Sequence, residues 1–129
     1  MAEQTINING GGGVPVIELR FGFAQFGKYE IYLWDSNGKN PQLIGRGVNI
    51  DQVPDRFPIG DVSVLDGRIV TWQAIIASPT GGSNDLYDLT AIFTQDGKNL
   101  EDGPFTKPQP PGKLDGVKIV FDQVRLRVG

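Results

Sequence analysis

Apolar and polar residues alternate in short runs along this chain, and no run keeps a helical period. In residues 14–26, Ile17, Leu19, Phe21 and Phe23 fall on one side while Glu18, Arg20 and Gly22 fall on the other. Successive side chains of a strand point to opposite faces, so this pattern predicts a strand with one buried side. Residues 29–35 repeat it, with Tyr29, Ile31 and Leu33 on the core side and Glu30, Tyr32 and Trp34 opposite. Asn37-Gly38 tolerates the positive φ of a tight hairpin turn, which predicts that residues 42–48 fold back along the preceding strand. Residues 51–58 carry two prolines and read as a loop. Residues 59–65 read as a strand, Asp66-Gly67 as a turn, and 68–78 as a longer strand. That longer strand is apolar on both sides, which marks it as central and puts Trp72 in the core. After a loop at 79–84, residues 86–95 form a strand with Tyr87, Leu89, Ala91 and Phe93 inward, ended by Asp96-Gly97.

Three segments depart from simple alternation. Residues 102–116 hold four prolines, which exclude a central strand and predict a surface run that is partly polyproline II. In the last strand, 117–128, Val117, Ile119 and Phe121 sit at odd positions, but Val124, Leu126 and Val128 sit at even ones. A period of two cannot change parity without an extra residue, so a β-bulge is expected near Asp122-Gln123. At the start, Ile6 and Ile8 alternate weakly within residues 5–9, and glycine fills positions 10–13. Residues 1–13 therefore read as a flexible arm able to pair with a neighbouring chain's sheet edge, and 14–129 as one domain.

About seven short strands at regular spacing predict an antiparallel β-sandwich, Greek-key or jelly-roll-like, with a small closed β-barrel as the alternative. No connection carries a helical pattern, which excludes a parallel βαβ fold. A weak echo links Tyr29-Glu30-Ile31 and Gly38-Lys39-Asn40 to Tyr87-Asp88-Leu89 and Gly97-Lys98-Asn99, and ordinary hairpin chemistry accounts for it.

Composition narrows the chemistry. With 129 residues the chain is long enough to bury a core, and it contains no histidine and no cysteine. That absence removes histidine general bases, Ser-His and Cys-His nucleophiles, thiol redox chemistry and the usual zinc ligands. The net charge of −3, with Lys and Arg scattered, speaks against nucleic acid. No apolar run approaches the ~20 residues of a membrane-spanning helix. The first four residues lack the basic and apolar regions of a signal peptide, so a soluble cytoplasmic protein is the default expectation, with an extracellular mature form as the alternative.

The remaining candidates are carboxylates and aromatics. Glu18 and Glu30 lie within strands, and neighbouring strands would bring them together as a glycosidase-like pair; cross-strand pairing with Arg20 or Lys28 is the plainer expectation. Asp96, Asn99, Glu101 and Asp102 concentrate oxygen ligands in one loop and form the candidate calcium site, although none of the loops matches an EF-hand. Tyr32 and Trp34, on the side opposite Ile31 and Leu33, form an aromatic patch on the outside of a sheet. Such a patch stacks on sugar rings or anchors protein partners. The sequence thus points to a non-catalytic binding module for a carbohydrate or protein ligand. The alternative is a subunit of a homo-oligomeric or larger assembly that associates through its sheet edges and arm.

Overall fold

The computed structural model describes residues 3–49, 55–78 and 85–129. Among the described residues ten strands run in chain order: β1 Thr5–Ile8, β2 Val16–Phe21, β3 Phe26–Trp34, β4 Gln42–Asn49, β5 Asp55–Pro58, β6 Ile69–Ala77, β7 Asp85–Gln95, β8 Lys98–Asn99, β9 Phe105–Leu114 and β10 Lys118–Val128. The first sheet has the order β1-β10-β6-β3-β4. The second has the order β5-β2-β7-β8, with β9 also paired to β7. The two sheets pack face to face as a β-sandwich, and the closed barrel is not formed. Among the described residues no helix is long and apolar enough to cross a membrane.

Alternation builds the core as expected. Ile17, Leu19 and Phe21 of β2 meet Tyr29, Ile31 and Leu33 of β3, Val70, Trp72, Ala74 and Ile76 of β6, and Leu89, Ala91 and Phe93 of β7. Trp72 stands 5.8 Å from Phe93 and 6.4 Å from Phe105, ring centre to ring centre, which stitches the two sheets together. Burying each such side chain contributes roughly 1.5–3 kcal/mol. At the β4–β5 end, Tyr29 packs between Phe21 and Phe57, and its hydroxyl donates to Asp55. Glycines make room for these rings: an added Cβ at Gly27 would stand 2.0 Å from Phe21, and one at Gly45 would stand 2.6 Å from Phe57.

Several local expectations are corrected. Residues 5–8 are not a free arm: β1 pairs in parallel with β10 of its own chain, Thr5 opposite Arg125 through Ile8 opposite Val128. Ile6 and Ile8 are core residues, so their alternation reports burial within this sandwich. The glycine run is tied down as well. Gln95 Oε1 accepts from Asn9 N–H (2.9 Å), and its Nε2 donates to the Asn9 and Gly13 carbonyls (2.8 and 2.9 Å).

Residues 59–65 are not a strand. The strand comes earlier, as β5, and is followed by a 3-10 turn at Val62–Val64 whose first turn Asp61 caps by accepting from Ser63 N–H. Ile59 and Leu65 are buried on either side of that turn, so their apolar character does not reflect a period of two. Chain reversal comes early in β2 too, where a turn at Gly22–Ala24 leaves Phe23 exposed rather than inward.

The proline-rich stretch is mostly the edge strand β9. Its register jumps from Leu89 opposite Lys107 to Tyr87 opposite Gly112, so residues 108–111, three of them proline, fall in the irregularity. An edge strand with a break is where missing N–H donors do the least harm. Strand β10 has no bulge, because its register with β6 is continuous from Lys118 opposite Ile76 to Arg125 opposite Ile69. The even positions face inward throughout, including Asp122, which accepts from Gln4 Nε2 (2.8 Å) and lies 3.7 Å from Lys107 Nζ. Satisfying one inward carboxylate replaces the expected parity change and leaves Ile119 and Phe121 outside. The loop expected at 79–84, and residues 51–54 of the one expected at 51–58, lie outside the described residues.

Candidate functional site

The outer face of the first sheet is set by pairing register. Across it, Ile119, Ile75, Lys28 and Val48 stand side by side on β10, β6, β3 and β4. The next row is Phe121, Gln73, Glu30 and Arg46, and the third is Gln123, Thr71, Tyr32 and Leu43. Large apolar side chains open to solvent here include Val48 57%, Ile75 45%, Ile119 66%, Phe121 49% and Leu43 43% exposed. Ile75, Ile119 and Phe121 are neighbouring outward positions of paired strands and form a patch, with Val48 on the far side of Lys28. Two hollows flank the Lys28–Glu30 ridge. One, of about 410 Å³, is bounded by Arg46 and Val48, and the other, of about 160 Å³, by Gln73 and Ile75.

Tyr32 and Trp34 lie on this same outer face, as alternation requires with Tyr29, Ile31 and Leu33 buried. Both are half-buried. Their rings are 6.3 Å apart and tilted by 53°. Trp34 Nε1 donates to Thr71 Oγ1 (2.9 Å), and the Tyr32 hydroxyl donates to Glu30 Oε2 (2.9 Å). That hydrogen bond to a carboxylate raises the Tyr32 phenol above its ordinary value, with Arg46 pulling weakly the other way. The pair is therefore tied into the sheet by its polar atoms and does not form a flat platform.

The oxygen-rich loop takes a different role from the expected ion site. Asp102 Oδ2 accepts from Asn7 N–H (2.8 Å) and Asn7 Nδ2 (3.1 Å), and Asp96 Oδ1 accepts from Gly13 N–H (3.1 Å). Asn99 pairs with Thr94 in β8, and Glu101 is exposed in the following turn. These residues line a groove of about 550 Å³ beside β1, but their carboxylates do not converge. Among the described residues no three acids, histidines or cysteines stand close enough to hold a metal ion. Asp96 and Asp102 anchor the N-terminal segment.

Glu18 and Glu30 are not a pair. Strands β2 and β3 are consecutive in the chain but belong to different sheets, so the two carboxylates lie on opposite outer faces of the sandwich. The apolar row on β10 was readable only as a parity conflict at Val117–Phe121, because the inward choice for Asp122 depends on partners remote in sequence.

No family model and no curated protein matches the chain. Among solved structures, a DUF4425 family protein from Bacteroides ovatus superposes with a TM-score of 0.51 at 13% identity, covering 87% of this chain and 95% of that one. A DUF4425 domain of unknown function from Bacteroides vulgatus gives 0.47 at 14% identity, covering 90% and 96%. At such identity the likeness to the first is one of fold alone.

Proposed function

We propose that this chain is a non-catalytic binding module that docks a protein partner through the outer face of its first sheet. The observation that carries this reading is the group of apolar side chains Ile75, Ile119, Phe121, Val48 and Leu43, which pairing register places on one outer sheet face and which are left in water. Protein interfaces combine apolar and charged groups, and Lys28, Glu30 and Arg46 supply charge here among the apolar side chains. A carbohydrate ligand is less well supported. Sugar rings stack on open aromatic faces, whereas Tyr32 and Trp34 are tilted and half-buried, and Val48, Ile75 and Ile119 are aliphatic, with Phe121 the exposed ring beside them.

The test is site-specific photo-crosslinking in the cells that make the protein. A crosslinking side chain at position 75 or 121 is expected to capture one discrete protein, while the same group at Lys113 on the second sheet captures none. No adduct from 75 or 121, or equal capture from all three positions, overturns the reading. An adduct at twice the chain's own mass replaces it with self-assembly.

A further inference from the structure

The outer face of the second sheet carries a different kind of feature. Glu18 points outward from β2, yet it is only 3% exposed, because two arginines close over it. Arg20 Nε donates to Glu18 Oε2 (2.5 Å), and Arg56 Nε, from the neighbouring β5, donates to Oε1 (2.6 Å). Each carboxylate oxygen thus holds one guanidinium, and register fixes Arg56 directly across from Glu18.

Desolvation pushes the Glu18 pKa up, but the hydrogen bonds from Arg56 and Arg20 outweigh it and hold the group below its ordinary value. The carboxylate is therefore ionised at neutral pH. One arginine balances its charge, and the second leaves the triad with one net positive charge. The arginine side chains are 55% and 70% exposed, and neither has another ionic or hydrogen-bond partner among the described residues. Their Nη amino groups are left to solvent.

We propose that Arg20 and Arg56 form an oxyanion-binding site, with Glu18 as the positioning residue that holds the two guanidiniums at a fixed spacing. The ligand class is a phosphate, sulfate or carboxylate group. Guanidinium presents a planar fork of donors that matches such oxygens in pairs, and arginine is the usual residue for that recognition. A free surface arginine must give up rotamer freedom to bind; these two have already been ordered by Glu18, which lowers the cost of binding. Thr90 stands across from Arg20, and Pro58 and Ile92 lie beside the triad in the register.

The site is on the opposite side of the sandwich from the docking face, so its failure would leave that reading intact. The experiment follows the arginine Nε–Hε signals of the full chain by NMR during titration with sodium phosphate, sulfate or acetate, with ionic strength held constant by chloride. Saturable shifts confined to Arg20 and Arg56, with Arg46 and Arg127 unmoved, are expected. The relative affinities of the three probes distinguish a tetrahedral anion from a carboxylate. Arg56→Gln is expected to weaken binding at least tenfold, while Arg127→Gln leaves it unchanged. Non-saturating shifts, equal shifts at all four arginines, or unchanged binding in Arg56→Gln would overturn the proposal. The wild-type titration decides even where a variant folds poorly.

Discussion

Gly27 has no side chain because the Phe21 ring occupies the place where one would stand, 2.0 Å from an added Cβ. Substituting Gly27→Ala forces that ring, and Tyr29 packed against it, out of position. The expected loss is about 1–3 kcal/mol, read as a lower urea midpoint at unchanged slope. An unchanged midpoint would mean that the ring moves aside freely. Glu18 gives a prediction in pH. Its folded-state pKa lies below the ordinary 4.5, so its contribution is fully present above that value. As pH falls further the unfolded chain takes up the proton first, and stability is lost toward the lowered folded value. Glu18→Gln should therefore flatten the acid limb of a stability–pH curve; an identical limb would contradict the role given to the Arg20–Glu18–Arg56 triad. At this scale the sequence was partly legible. Tyr32 and Trp34 lie on the outer face, as their alternation with Tyr29, Ile31 and Leu33 requires. The burial of Glu18 was not legible, since Arg56 reaches it from a strand 38 positions away.

Elements whose signal is local were the most readable. The Asn37-Gly38 turn closes with Gly38 at φ 76°, and the Asp96-Gly97 hairpin uses φ 54° and 77°, values that those residue types accept at low cost. Elements whose placement depends on distant partners were misread. The segment 5–9 looked like a detachable arm because four glycines follow it, and only the open edge of β10 makes it a strand of its own sheet. Ile6→Ala is accordingly expected to cost about 2–5 kcal/mol in chemical denaturation, as a buried core deletion does. A detachable arm would show no change. Strand β9 illustrates the same limit: proline argues against a central strand, but an edge strand with a break at 108–111 accommodates it.

For the molecule as a whole, alternation and turn spacing were enough to give the sandwich, whereas the partition of strands between sheets was not readable. That partition separates Glu18 from Glu30 and gives the two outer faces distinct chemistry. The first sheet presents apolar side chains beside charge, and the second presents a pair of arginines held over a buried carboxylate. The functional reading rests on the first of these. Its most direct measurement is a binding titration of the partner captured from positions 75 and 121 against the wild-type chain and an Ile75→Ser, Phe121→Ser double variant. Both residues are already exposed, so the melting temperature should change little. The account predicts at least tenfold weaker binding by the variant, about 1.4 kcal/mol or more. Equal affinity at equal stability would contradict it.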